Sequence, residues 1–369
     1  MNNVPESNPN PNPNPGYKLI GEGSFGCVIK PTLPCDKNKE IYVKSSNKNR
    51  VSKVFKENTE DFSLEKTIAK KLASINGSIN YFIYPYESCY INQDTLKKLN
   101  PADLCISEID STLIDIPQVI LPYAGYDIYG LFKNYIAASN NIKTAPSFPA
   151  TIWITMLKNL FLGIELLIKN NIVHQDIYAS NILYDPKDGK LRFVDFGLAV
   201  NSKDVYTFSN KRLTYTYHCY PPEYMFAIFF KDKNYKPAFE KVLYKWINEY
   251  ICVNPNTVDC YKFYSEYISN VQLNYELNLV LQDYLVNPAL WLTRMSKFTN
   301  LLDLYALGML CIDVHERLDF SVLSMDQYKL YKTLVLGLMN PNYHKRFGFK
   351  DAYKFYMRLI SSLNSTQKI

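Results

Sequence analysis

Residues 173–200 read VHQDIYASNILYDPKDGKLRFVDFGLAV. Two acidic residues, Asp176 and Asp195, have Asn181 between them, five positions after the first and fourteen before the second. Residues 181–184 and 191–194 are short apolar runs. The sequence joining them, Asp185-Pro186-Lys187-Asp188-Gly189, has turn chemistry, so the stretch predicts a β-hairpin. Folding it in two brings its ends to one side and lets Asp176, Asn181 and Asp195 face a common cleft. Three converging oxygen-bearing side chains can hold Mg²⁺ against phosphates while a carboxylate takes a hydroxyl proton.

His174-Gln175-Asp176 through Asn181, followed by Asp195-Phe196-Gly197, resembles the catalytic loop and metal-binding segment of eukaryotic-type protein kinases. The resemblance implies an α+β, bilobal fold: a small β-rich N-lobe with one helix, and a large, mainly helical C-lobe. It also implies ATP and Mg²⁺ as cofactors, Asp176 as the residue accepting the proton of a protein hydroxyl, and Asn181 and Asp195 as the metal ligands. His174 reads as a packed residue supporting the loop.

Residues 17–30 read YKLIGEGSFGCVIK. The glycines of Gly21-Glu22-Gly23-Ser24-Phe25-Gly26 let a strand–turn–strand lid bring bare backbone N–H groups up to phosphates. The same G-x-G-x-x-G opens dinucleotide-binding folds, but Pro31, Thr32, Leu33 and Pro34 cannot continue as the helix those folds need. The resemblance places Val28 under the adenine. It also calls for a strand lysine, held by a helix glutamate, to grip the α- and β-phosphates. Lys53, in the alternating run 51–55, is preferred to Lys44, in the run 41–44. Glu65 is its partner, on an apolar-faced helix starting near Glu60 or Asp61. Residues 119–125 read as the last N-lobe strand and hinge. Leu121 then sits beside the adenine, Ala124 is the backbone donor because Pro122 has no N–H, and Asp127 reaches toward the ribose or lies on a loop surface.

Further on, residues 149–171 form a long core helix on three- and four-residue apolar spacing. Residues 198–220 carry Thr207, Ser209, Thr214 and Thr216 and end in Tyr220-Pro221-Pro222-Glu223, which is similar to an activation segment and its closing motif. Asp303, in an apolar helix over 301–312, is expected to accept backbone N–H groups of the catalytic loop, and Arg346 to pair with Glu223. Between Glu223 and Asp303 lie 79 residues, far more than the family uses. The extra part, about 231–298 with helical patterns at 240–251 and 261–284, is either a partner-binding surface or a structural elaboration. The domain reading is an Asn/Pro-rich tail over 1–15, disordered by composition, an N-lobe and hinge over 16–125, and a C-lobe over 126–369. Strand-like pieces also stand at 81–84 and 105–109.

Two positions depart from the family pattern. Gln175 stands where many members have the Arg that pairs with a phosphorylated activation segment, so activity is expected without that phosphorylation. Tyr178 stands where serine/threonine kinases have a Lys, which leaves the choice between Ser/Thr and Tyr substrates open while Ser/Thr is favoured. The resulting expectation is an ATP- and Mg-dependent serine/threonine protein kinase acting on protein substrates. The alternative is a pseudokinase or scaffold that binds partners through the insertion.

Composition narrows the setting. Hydrophobic residues are 47% and charged residues 21% of the 369, ordinary for a globular protein. A net charge of +6, evenly spread, gives no case for nucleic acid, and the interrupted apolar runs give none for a membrane span. The eight cysteines contain no C-x-x-C pair and read as reduced thiols in an intracellular setting without structural zinc. The Asn-, Lys- and Tyr-rich composition and the insertion resemble kinases of large cytoplasmic DNA viruses. That likeness implies a place in the host cytoplasm or the virion.

Overall fold

The computed structural model describes residues 16–23, 26–44, 49–57, 60–99, 109–138, 147–206, 220–224, 275–276, 278–280, 282–283 and 286–366. The chain divides into two compact units. One takes Met1–Ile75 and Tyr84–Tyr123, the other Asn76–Ile83 and Ala124–Ile369. Strands and helices occur in both.

In the first unit, β1 (Lys18–Glu22), β2 (Gly26–Lys30), β3 (Lys37–Ile41), β4 (Arg50–Phe55), β5 (Glu87–Asn92) and β6 (Asp115–Pro122) form an antiparallel sheet in the order β1-β2-β4-β6-β5-β3. β4 is central, and Val51 to Phe55 are all buried. Its polar Ser52 is satisfied there by accepting the Leu33 N–H at 2.9 Å. Gly26 is required at the start of β2, because a Cβ would lie 2.2 Å from the Val54 carbonyl oxygen. Helix α1 (Glu60–Ala73) has Glu60 and Asp61 in its first turn and Lys70 and Lys71 in its last, the arrangement the helix dipole favours. It buries Phe62, Ile68 and Leu72. Ile29, Leu33, Val54, Ile91 and Ile116 of this unit make a continuous core with Leu96 of α2 (Gln93–Lys98).

Three expectations need correction here. β3 ends at Ile41, so residues 42–44 are not strand. Residues 81–84 form a turn with an isolated bridge from Phe82 to Phe193 rather than a strand. The cysteines are not all reduced: Cys35 is joined to Cys89 in β5, tying the loop after β2 to the sheet. Residues 105–108 lie outside the described residues.

The second unit is built on α4 (Ala150–Lys169), which buries Trp153, Leu157, Leu160, Phe161, Ile164 and Leu167. By length and composition alone α4 is apolar enough to cross a membrane, and half of that window is buried inside this unit. Strands β7 (Tyr126–Asp127), β10 (Ile182–Asp185) and β11 (Lys190–Phe193) form one small sheet, in the order β11-β10-β7. β8 (Phe148–Pro149) pairs in parallel with β13 (Leu318–Asp319), and β9 (Ile172–Val173) pairs with β12 (Val200–Asn201). Helix α3 (Ile128–Ala138) follows β7, and α5 (Pro288–Met295), α6 (Asn300–Asp313), α7 (Met325–Leu338) and α8 (Phe349–Thr366) complete the described helices. A capping box of Ser324 and Gln327 opens α7. α8 is fastened to α4 by the Tyr356 hydroxyl, which donates to the Ile154 carbonyl at 3.1 Å.

Candidate active site

In the first unit, Lys53 faces Val28 across the sheet. Its Nζ donates to Glu65 Oε2 at 2.8 Å, with both residues buried. Lys44, the competing lysine, is exposed and lies outside any strand. The backbone sets this pairing: β4 puts Lys53 on the face met by α1, and Glu65 lies on the buried stripe of that helix. A buried pair of this kind fixes geometry more than it adds stability. Gly21 and Glu22 end β1, and Gly23 donates its N–H to the Gly26 carbonyl at 2.9 Å, closing the glycine-rich turn. Ser24 and Phe25 lie outside the described residues. Leu121 is buried in β6.

In the second unit the predicted hairpin is present, with Ile182 opposite Phe193 and Asp185 opposite Lys190. Its turn closes through the Gly189 N–H donating to the Asp185 carbonyl at 2.9 Å, with Gly189 at φ 69°. The turn sets Asn181 against Asp176 and puts Val194, the residue before Asp195, on the Asn181 backbone. Asn181 Nδ2 donates to Asp176 Oδ2 at 2.6 Å and to the Asp176 carbonyl at 3.0 Å. The Asn181 carbonyl in turn accepts the Val194 N–H at 3.0 Å, one residue before Asp195. Asp195 Oδ1 accepts the Gly197 N–H at 3.2 Å. Gln175 and Asp195 both hold left-handed backbone, at φ 65° and 62°. Such conformations cost of order 1 kcal/mol or more and persist where the surroundings over-determine them.

The surroundings do so here. Asp303 of α6 accepts the N–H groups of His174 at 2.8 Å and Gln175 at 3.0 Å. Burial raises the Asp303 carboxyl to about 6, with the two donors acting in the opposite direction. His174 is fully buried against Phe196 and Phe193, and its Nδ1 accepts the Asp176 N–H at 3.3 Å. Burial pulls its imidazole down to about 4, so it is neutral near pH 7 and serves as packing. Arg346 meets Glu223 through two hydrogen bonds of 2.5 and 3.0 Å, both residues buried. Ala124 is buried. Asp127 Oδ1 accepts the Gly130 N–H of α3 at 2.6 Å.

The structure also uses one residue that sequence reasoning did not single out. Tyr224 is fully buried and its hydroxyl accepts from Gln175 Nε2 at 2.9 Å. Its position right after Pro-Pro-Glu was the only local sign of it. Thr207, Ser209, Thr214 and Thr216 lie outside the described residues, as do 240–251 and most of 261–284.

Residues 128–240 match the family model for the protein kinase domain. Over 113 of its 369 residues the chain is similar to a protein kinase domain. The matched span includes Asp176, Asn181, Asp195 and Glu223. Over 107 residues the chain is 37% identical to CTD kinase subunit alpha of Saccharomyces cerevisiae, covering 28% of this chain and 18% of that protein. It is 30% identical over 133 residues to the serine/threonine-protein kinase BCK1/SLK1/SSP31 of the same yeast, 34% of this chain and 9% of the relative. It is 29% identical over 125 residues to cyclin-dependent kinase 12 of Drosophila melanogaster, 33% and 9%. The chain thus spans less than a fifth of the length of these relatives. They come from yeast and fly, and none bears on a viral origin.

Proposed function

We propose that this kinase domain is a working serine/threonine protein kinase that moves the γ-phosphoryl group of ATP to Ser or Thr hydroxyls of proteins. The observation that carries the reading is the Asn181–Asp176 hydrogen bond on a loop held by Asp303, with Asp195 directly after the Val194–Asn181 backbone bond. Each unit supplies its own part. The buried Lys53–Glu65 ion pair fixes an ammonium that would take phosphate oxygens, and the glycine-rich turn would offer backbone N–H groups. In the second unit, Asp176 accepts and orients the substrate hydroxyl proton.

The residues fit Mg²⁺. Asn181 gives its side-chain amide N–H groups to Asp176, leaving its side-chain oxygen Oδ1 as the metal-donor atom, and Asp195 adds a carboxylate. No group of three or more His, Cys, Asp or Glu suited to a metal occurs among the described residues. Two oxygen ligands without an all-protein cage suit a hard cation that completes its shell with phosphates and water. When bound, the ion supplies charge neutralisation at the phosphates. Tyr178 brings no ammonium to the transferring group, so turnover is expected to be slow.

The composition and the insertion support a source in a large cytoplasmic DNA virus, and with it a cytoplasmic site of action. The test of the activity is transfer of labelled phosphate to a generic protein substrate by wild type, Asp176→Ala and Asp195→Ala. Transfer by wild type alone is expected. Equal signal from all three, or none from wild type, turns the reading toward a pseudokinase scaffold.

A further inference from the structure

Gln175 removes a positive charge from the catalytic loop, and the structure shows what its side chain does instead. Nε2 donates to the Tyr224 hydroxyl, 49 residues further along the chain. Both residues are buried. The direction of the Gln175 side chain is set by its left-handed backbone, which Asp303 holds through the Gln175 N–H. On the other side, Tyr224 packs its ring against Tyr220 at 4.5 Å and Tyr206 at 5.8 Å. Tyr224 also follows directly on Glu223, which Arg346 grips. Arg346 is itself anchored, its Nε donating to the Asn340 carbonyl at 2.9 Å. The short segment 220–224 is therefore held at two adjacent residues, and one hold comes from the neighbour of Asp176. Burial raises the Tyr224 phenol far above its ordinary range, keeping it neutral. The link thus joins two uncharged groups and needs neither a phosphate nor a guanidinium.

We propose that the Gln175–Tyr224 hydrogen bond is a positioning latch that keeps the catalytic loop and segment 220–224 in register for a protein substrate. Both are positioning residues, since neither is placed at the reacting atoms. The proposal rests on the kinase reading and adds to it the device that aligns the loop without activation-segment phosphorylation.

The test is a double-mutant cycle of Gln175→Met and Tyr224→Phe, with casein as substrate. Each single change is expected to lower kcat/KM for casein roughly fivefold, the scale of one neutral hydrogen bond, while KM for ATP stays unchanged. The double variant should be no worse than the weaker single, because both remove the same bond. Singles with wild-type constants, or losses that multiply in the double, overturn the latch. Backbone hydrogen exchange on the full chain gives a second readout that needs no activity. Either single change should speed exchange at both 174–176 and 220–224, and an effect confined to the mutated side overturns the latch. A wild type without transfer would remove the kinase reading, and exchange alone would then decide the latch.

Discussion

At the scale of single residues, Asp303 shows how a scaffold carboxylate acts through another group. It touches nothing reactive. It receives two N–H groups from the loop that carries Asp176, and the left-handed turn at Gln175 depends on that grip. Holding it there has a cost, because burial raises its carboxyl from the ordinary 3.8 to about 6. A raised folded-state pKa stabilises the protein most below the unfolded value, and that contribution is lost as pH rises through the folded value. Wild type should therefore lose stability relative to Asp303→Asn between about pH 4 and pH 6, by roughly 3 kcal/mol for a shift of about two units. The difference should be level above that window. Urea unfolding of both proteins across this range measures it, and the pH-independent cost of the substitution drops out of the slope. A flat difference curve would show that Asp303 titrates in the folded chain as it does in water. The role of Asp303 was legible only through the family resemblance, which implies that it accepts backbone N–H groups of the loop. Tyr224 was not legible, because one tyrosine out of 31 signals burial but not the amide it meets.

At the scale of elements, legibility follows how local the determining chemistry is. The 181–194 hairpin could be read because a five-residue turn fixes it, and α4 and α6 because apolar spacing marks their buried faces. β5 could not. Its buried positions include Glu87 and Ser88, and polar residues inside a sheet read as loop. Their partners are distant in sequence: Arg50 and Lys39 pair with Glu87, and the Tyr42 hydroxyl donates to Ser88. The same strand carries Cys89, joined to Cys35 across a separation of 54 residues. Spacing alone gave no sign of that pairing, because cysteines that meet through a sheet need no motif. Closing a loop of that length removes denatured-state entropy worth up to about 4 kcal/mol. Reductant, or Cys35→Ser, should therefore lower the denaturation midpoint of the first unit. Reductant should have no further effect on Cys35→Ser through this bond. Equal midpoints with and without reductant, together with no linked 35–89 peptides in a non-reduced digest, would sink the assignment.

At the scale of the whole molecule, the question is whether the stretch between Glu223 and Asp303 is an addition to the second unit or part of it. From sequence, residues 231–298 are either a partner-binding surface or a structural elaboration. The described part of that stretch argues otherwise for its second half. Glu276 is buried, accepting from Asn342 Nδ2 at 3.0 Å and Lys345 Nζ at 2.6 Å. Asp283 takes Arg294 at 2.9 Å and the Tyr343 hydroxyl. Trp291 and Met295 of α5 have no exposed surface. The bonds of Glu276 and the Tyr343–Asp283 bond reach residues 340–346, the segment whose Arg346 holds Glu223. Glu276 and Asp283 are thus built into the support of segment 220–224, and a cut through 298 removes core as well as insertion. Trp291→Ala should lower stability by about 3–5 kcal/mol, as loss of a fully buried aromatic does. Deleting 231–298 should leave the second unit unable to unfold cooperatively, because it removes that side chain, Met295 and the acids facing 340–346 together. Circular dichroism and urea titration of the two variants beside wild type decide it. A deletion variant with a wild-type midpoint would return residues 275–298 to the status of a dispensable module.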